Sequence, residues 1–271
     1  MLKNMAVTPN DAIEERRRAI QQRRKVQKAK RRKAAFKRFL IFLSIATVIT
    51  LAILSLTVFF PAEKIIVESK NSAYSSEQII KASGIEKGKN LWMTGFNAED
   101  DIPVKLPFIA EAEVIRKFPS TIVIKTTPAK AVYAIKVKND YYICDVGYKV
   151  LETKKELEKG LILISGAEVN KTKVGNKVSF ANTQKQDMLV KIFSLLKEKS
   201  ITVNSVDVTE LMEITVRVED KFDVTLGSTA HLNLKIAHLA GMLNEVDEDV
   251  RGSIDLSEYT PENDRGILTR E

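Results

Sequence analysis

The sequence predicts an α+β protein that has a single N-terminal transmembrane helix, a small β-α-α-β-β domain and a β-rich domain with two helices. Three observations support this: an uncharged run of 24 residues at 39–62, short β-type runs ending at prolines before residue 129, and a 3.6-residue apolar period at 184–199. The expected divisions are a basic cytoplasmic tail (1–38), the transmembrane helix (39–62), the β-α-α-β-β domain (63–134), the β domain (135–260) and a flexible C-terminal tail (261–271).

The net charge of +8 comes from the tail and not from the rest of the chain. Residues 1–38 hold 14 Lys or Arg against three acidic residues, whereas residues 39–271 hold 29 basic and 32 acidic side chains. The tail has the composition of a segment that is attracted to anionic lipid, and it has no aromatic residue before residue 36 that could stack on a base. The sequence therefore favours a tail beside the membrane over a contact with nucleic acid or the ribosome, and it does not support a nucleic-acid groove elsewhere.

The uncharged run lies between Arg38 and Glu63 and has the length of a membrane span. At about 1.5 Å per residue, its helix reaches roughly 36 Å, which covers a hydrocarbon core of about 30 Å. Pro61 marks the expected end, because proline does not continue a helix easily. A cleaved signal peptide is the alternative, but its apolar region spans only about 7–15 residues and follows a short basic region. The Lys and Arg excess before the run predicts a cytoplasmic N-terminus and an external position for residues 63–271.

The next stretch carries β, α, α, β and β signals in that order. Ser75 followed by Gln78 is the pattern of a helix capping box, and Gly84 is the expected end of that helix. The order suits a small sheet with two helices on one face. The predicted elements are a strand at 65–67, a helix at 76–83, a helical stretch at 97–108, and a hairpin of strands at 112–118 and 121–127.

Several short motifs in this stretch resemble a POTRA (polypeptide-transport-associated) domain. They are YSSEQI at 74–79, GKNL at 88–91, PFIAEA at 107–112 and VIRKFPST at 114–121. A basic tail and one span ahead of such a domain resemble the bacterial cell-division family FtsQ/DivIB, and YYICDVGYKVL at 141–151 is similar to the opening of that family's second, β-rich domain. One departure is that Pro128 and Ala129 stand where many members carry a Glu-Arg pair, so a role of that pair does not carry over.

The resemblance implies a non-catalytic scaffold of the divisome, with no cofactor, at the plasma membrane of the division septum. It implies partners of the FtsL and FtsB/DivIC type, a link to the septal peptidoglycan synthase complex, and a role in regulating septal peptidoglycan synthesis.

The same resemblance implies that the far end of the β domain engages these partners. An exposed sheet edge there would accept a partner strand. For Ile254 and Leu256, a role in the core explains the sequence equally well, because alternation buries one face of a strand in any case. The expected contact residues are Ile254, Asp255, Leu256, Ser257 and Tyr259.

The β domain shows six strand-like runs and two helical stretches. A helix at 184–199 has its apolar residues on one face, and a second helix covers 229–246. The strand-like runs lie at 141–144, 161–165, 205–208, 213–218, 222–226 and 253–256.

No motif in the sequence predicts catalysis, a cofactor or a metal site. The loop at 84–90 departs from a phosphate loop, because three residues rather than four separate its glycines and Asn90 replaces the magnesium-binding Ser/Thr. His231 and His238 lack the further ligands that zinc needs, and Cys144 is predicted to be a core residue.

Two other function classes stay open at this point. A membrane-anchored cell-envelope enzyme would need a pair of carboxylates that converge, whereas adjacent acids such as Asp100 and Asp101 point in different directions. Another POTRA-type assembly or transport factor would normally carry several POTRA units.

Overall fold

The structure, a computed structural model, describes residues 36–52, 60–69, 73–247, 249–263 and 266–270. The chain divides into two compact units, one up to Pro61 and one from Ala62 to Glu271. The first unit contains helix α1 at 36–52, in which Ser44, Thr47 and Thr50 each donate their hydroxyl to a carbonyl of the preceding turn at 2.8 or 2.9 Å.

The predicted membrane segment at 39–62 is only partly covered. Residues 53–59 and the tail residues 1–35 lie outside the described residues. Among the helices that the structure does describe, none combines the length and the apolar character needed to cross a membrane.

The second unit begins with a three-stranded sheet and two short helices, in the predicted β-α-α-β-β order. Its strands lie in the order β1-β3-β2, with β1 parallel and β2 antiparallel to the central strand β3. The elements are β1 (Lys64–Ser69), α2 (Ser76–Ser83), α3 (Ala98–Lys105), β2 (Ile109–Lys117) and β3 (Thr121–Pro128).

Local sequence sets the ends of both helices. The capping box forms as predicted, because the Gln78 N–H donates to Ser75 Oγ at 3.3 Å and the Ser75 N–H donates to Gln78 Oε1 at 2.8 Å. Gly84 ends α2 in the left-handed conformation, which glycine adopts without strain. Helix α3 is shorter than the predicted 97–108, because Leu106 precedes Pro107 and a residue before proline disfavours helical backbone angles.

A nine-stranded sheet follows, in the order β12-β11-β10-β9-β8-β7-β4-β5-β6. Helices α4 and α5 connect its consecutive parallel pairs, α4 between β7 and β8 and α5 between β10 and β11. The elements are β4 (Tyr133–Val137), β5 (Asp140–Cys144), β6 (Val150–Lys154), β7 (Ile162–Ser165), α4 (Thr183–Glu198), β8 (Val203–Asp207), β9 (Ile214–Val218), β10 (Phe222–Gly227), α5 (Leu232–Glu245), β11 (Gly252–Asp255) and β12 (Ile267–Arg270).

One row of side chains crosses this sheet from β5 to β12. Each member is the Cα partner of the next one along the row, and every member packs in the core of the sheet. The row is Tyr142, Ile135, Ile164, Val206, Val216, Val224, Ile254 and Leu268.

The sequence prediction lacks three of these strands: β4, β6 and β12. The expectation of a flexible tail at 261–271 is wrong for Ile267–Arg270, which pair antiparallel with β11. Strand β12 has four residues and only one half-buried apolar side chain, Leu268, so its sequence carries almost no alternation. This strand is ordered by backbone hydrogen bonds to β11, and a side-chain pattern does not predict such bonds.

The motif at 141–151 forms the joint between the two sheets. Asp145 Oδ1 accepts the N–H groups of Gly147 and Lys149 at 2.9 Å each, which closes the turn after β5. The buried Lys149 Nζ then donates to the carbonyl of Ile109 at the start of β2. Burial lowers the pKa of the Lys149 ammonium, and the nearby Asp145 carboxylate opposes that shift.

Cys144 should be chemically inert in the folded chain. Its side chain is completely buried in β5, and burial, with a smaller contribution from Asp145, raises its pKa to about 12. Because only the thiolate reacts, we expect iodoacetamide at mildly alkaline pH to label Cys144 at least tenfold more slowly in the folded chain than in urea. The control is Cys144→Ala combined with Val146→Cys, which places a thiol at an exposed position two residues on. Equal labelling rates for the two thiols in the folded state would contradict the burial of Cys144.

Candidate partner-binding surface

The segment that sequence predicts for partner contacts lies at one end of the nine-stranded sheet. Strands β4, β7 and β8 run parallel, and Asp255 lies level with the last residues of β7 and β8. Tyr133, the first residue of β4, lies at the other end of the sheet. We call the end with Asp255 the distal end. The register row at this end consists of Ser165, Asp207, Thr215, Thr225, Asp255 and Ile267.

The five predicted contact residues divide into two groups. Ile254 and Leu256 are completely buried, so their side chains fill the core. Asp255 is exposed, and Ser257 and Tyr259 are partly exposed. The structure therefore brings only these last three side chains to the surface.

The sheet edge is one strand further along the chain than expected. Strand β11 pairs with β10 on one side and with β12 on the other, so it is not the edge. Strand β12 is the edge, and its Ile267 side chain is 61% exposed at the distal end. Strand β12 and residues 255–262 together form one surface at this end, which we call the distal surface.

The opposite edge of the sheet is protected. The Lys154 ammonium of β6 contacts carboxylates of Glu152 and Glu158 at 3.1 and 2.6 Å, which places charge along this strand. The backbone of Val150 is bonded to the loop at 175–176, with N–O distances of 2.8 and 2.9 Å. Charged side chains and covering loops are the usual protection against strand addition, so β12 is the more accessible edge.

Gly252 allows β12 to approach β11. A Cβ atom at this position would lie 2.0 Å from the carbonyl oxygen of Thr269, far inside van der Waals contact. At the other end of β12, a Cβ on Gly266 would lie 2.9 Å from both His238 Nε2 and Leu256 Cδ2. Strand β12 can therefore pack in its place only because Gly252 and Gly266 have no side chain.

A buried lysine holds the distal loops together. Lys235 projects from α5, is 1% exposed, and donates from Nζ to the carbonyls of Leu226 at 2.6 Å, Ser257 at 3.1 Å and Ser228 at 3.3 Å. Burial lowers the pKa of this ammonium, and the Asp255 carboxylate opposes the shift. The sequence does carry a signal of this role, because Lys235 interrupts the apolar stripe of α5, but the residue was not among those predicted.

Tyr259 is positioned by a ring contact. It stacks on His238 of α5, with ring centroids 4.7 Å apart and planes 29° apart. Around it the surface is acidic, because Asp255, Glu258 and Glu262 are all exposed. Among the residues described, no three His, Cys, Asp or Glu side chains come together in a way that could hold a metal ion.

An apolar groove of about 560 Å³ lies at the opposite end, between α4 and the start of β4. Its wall includes Tyr133, whose ring stacks on Tyr148 and packs at a tilt of 41° against Phe193, with centroid distances of 5.0 Å in both cases. The groove is therefore separate from the distal surface.

Substituting Gly252 should detach β12 selectively. We expect Gly252→Val to lower the free energy of unfolding by about 1–3 kcal/mol, the usual range for forcing atoms into a packed site. Amide exchange at residues 267–270 should rise at the same time. The measurement is urea unfolding of the full chain in detergent, combined with hydrogen exchange. The control Gly241→Ala lies in α5 with nothing within 4 Å and should stabilise by up to about 1 kcal/mol. Unchanged exchange at 267–270 in Gly252→Val would contradict the close approach.

Removing the Lys235 ammonium should destabilise the chain, because the three carbonyls around this buried group, that of Leu226 fully buried, lose their donor. We expect Lys235→Met to reduce the free energy of unfolding by about 1–3 kcal/mol. Lys191→Met, on an exposed position of α4, should have almost no effect. If the two variants unfold at the same urea concentration, Lys235 does not hold the distal loops.

Residues 60–127 match the family model of the FtsQ-type POTRA domain, which covers β1 to β3. The chain is 26% identical over 236 residues to cell division protein DivIB of Clostridium botulinum, covering 84% of this chain and 90% of that protein. It is 25% identical over 190 residues to DivIB of Clostridium acetobutylicum, covering 69% and 76%. It is 26% identical over 151 residues to cell division protein FtsQ of Corynebacterium glutamicum, covering 55% and 60%. The POTRA match and these relatives confirm the resemblance seen in the motifs: the chain is similar to FtsQ/DivIB cell-division proteins.

Proposed function

We propose that this chain is a non-catalytic, membrane-anchored scaffold of the bacterial division machinery. The names of its relatives, DivIB and FtsQ cell division proteins, support a role in division. The uncharged run at 39–62 and the basic tail before it support a single span, a cytoplasmic N-terminus and an external position for the two sheets. The relatives' names support a place at the division septum.

The partners that we propose are bitopic proteins of the FtsL and FtsB/DivIC type, bound at the distal surface. The observation that carries this proposal is the accessible edge strand β12, whose apolar Ile267 lies beside the exposed Asp255 and the stacked Tyr259. An extended partner segment would add its backbone to β12 and place alternate side chains against Ile267. In this proposal, Ile254 and Leu256 act from within, by holding β11 in the core.

The acidic residues of the distal surface indicate the charge expected of the partner segment. Asp255, Glu258 and Glu262 surround the distal end of β12, so a partner segment with Lys or Arg residues at this end would be complementary. By holding these partners, the chain would in turn organise the septal peptidoglycan synthase complex and influence when the synthase acts.

The test is binding of the full chain, in lipid nanodiscs, to the external segments of the FtsL-like and DivIC-like proteins. We expect Ile267→Asp to weaken binding at least about tenfold, which corresponds to 1.4 kcal/mol, because it places a charge where an apolar side chain would dock. A chain that ends after Asn263 should lose binding. This truncation removes β12 but keeps the buried Ile254 and Leu256, so the core of the sheet is retained.

The matched control is Val146→Asp, which changes an exposed apolar side chain at the end opposite the distal surface. It should bind like the unaltered chain, and all variants should keep the same circular dichroism spectrum. Undiminished binding by both Ile267→Asp and the truncated chain would exclude the distal surface as the partner site.

A further inference from the structure

Four large apolar side chains are exposed on the three-stranded sheet unit. Trp92, Met93 and Phe96 lie in the loop between α2 and α3 and are 49%, 73% and 84% exposed, and Phe118 in the β2–β3 turn is 56% exposed. The Trp92 and Phe118 ring centroids are 5.6 Å apart, so the loop and the turn form one surface. We call these four residues the apolar cap.

Buried residues and hydrogen bonds fix the loop that carries Trp92, Met93 and Phe96. Leu91 and Thr94 are buried, and the Arg116 guanidinium donates to the carbonyls of both, at 3.0 and 3.4 Å. Gly95 has a φ of 61°, and a Cβ there would lie 2.2 Å from Ile85 Cγ1. The loop therefore packs tightly through its small and buried members while its largest apolar members face outward. Such an arrangement is costly in water unless another surface covers it.

The cap lies where the chain enters this sheet. The Ala62 N–H donates to the Lys89 carbonyl at 2.8 Å, and the Gly88 N–H donates to the Ala62 carbonyl at 2.9 Å, so the first residue of the unit is bonded to the base of the loop. The Glu63 N–H donates to the Ser120 carbonyl at 2.9 Å, beside Phe118. The exit toward the nine-stranded sheet, at Pro128, is at the other end of β3.

We infer that the apolar cap rests on the outer surface of the lipid bilayer. The inference builds on the proposed function, in which residues 39–62 cross the membrane, because chain continuity then puts Ala62 at the bilayer surface. Tryptophan is the side chain that most favours the interface between lipid and water, since its ring is apolar and its N–H is polar. Phe96 and Met93 would enter the region between headgroups and acyl chains.

Charges beside the cap fit the same occupant. Lys64 and Lys117 are both exposed, and both are Cα partners of Thr121, which follows the Phe118 turn directly. Lys87 and Lys89 are exposed on the loop side. Lys89 lies 3.9 Å from the Glu86 carboxylate, and Glu63 is the other nearby acid, so the lysines still outnumber the acids. A net positive charge beside an apolar centre suits a surface of lipid phosphates.

Trp92 makes the inference directly measurable, because it is the one tryptophan of the sequence. The full chain would be reconstituted into vesicles whose lipid is brominated near the headgroup end of the acyl chains. We expect Trp92 fluorescence to fall roughly twofold relative to unbrominated vesicles, since an indole at the interface lies within reach of bromine. The control combines Trp92→Phe with Met212→Trp, which moves the indole to an exposed position in the loop after β8, at the distal end, and should show no quenching.

A second variant tests the cap rather than the probe. Met93→Ser with Phe96→Ser keeps Trp92 but removes two exposed apolar side chains, and it should abolish most of the quenching without changing the urea midpoint of unfolding. Vesicle flotation reports on the membrane anchor separately. If the chain floats with the vesicles and Trp92 is not quenched, the cap inference is overturned while the anchor stands. If the chain does not float and Trp92 is not quenched, the anchor and the cap inference both fail.

A protein partner is the competing occupant. Lack of quenching by lipid, followed by a blue shift of Trp92 emission when FtsL-like or DivIC-like protein is added, would assign the cap to a partner and overturn the lipid contact. Quenching that persists in the presence of those proteins would support the lipid contact.

Discussion

The nine-stranded sheet depends on one constraint, the register that aligns a single row of apolar side chains from Tyr142 to Leu268. Because side chains alternate between faces with a period of two, a slip of one residue in any strand would move its member of the row to the opposite face. Helices α4 and α5 cover the row, since each connects two parallel strands and such connections lie on a face of the sheet. The core, the positions of the loops and the order of the strands all follow from this alignment.

Buried lysines order the loops beside the sheet by donating hydrogen bonds to loop carbonyls. Lys235 binds three carbonyls at the distal end, and Lys185 of α4 donates to the carbonyls of Gly166 and Thr209 at 2.9 and 3.0 Å. Lys149 does the same between the two sheets. A loop carbonyl that packs against a helix loses its water, and a long flexible cation supplies the missing donor. The loops beside the distal surface are thereby ordered although they belong to no regular element.

The local elements of the fold follow from short-range sequence signals. Most local elements were predictable, because caps, helix breakers and periodicity act within a few residues. They include the capping box of Ser75, the glycine end of α2, the hairpin before Pro128, the two long helices and most of the strands. Strand β12 was not predictable, since a strand that buries little needs little apolar sequence, and the sequence prediction also lacks the five-residue strands β4 and β6. The family resemblance came from the order and spacing of weak motifs, and the comparisons confirm it.

At the candidate site, the sequence did not predict which residues are buried or which strand is the edge. The sequence by itself determined that a short strand near residue 254 belongs to the β-rich part, and that one of its faces must be buried. Only the tertiary structure decided that Ile254 and Leu256 are the buried residues, that β12 and not β11 is the edge, and that Lys235 organises the end of the sheet. The reason is physical: burial and edge position depend on which strands become neighbours, and that is set by contacts between residues far apart in the chain.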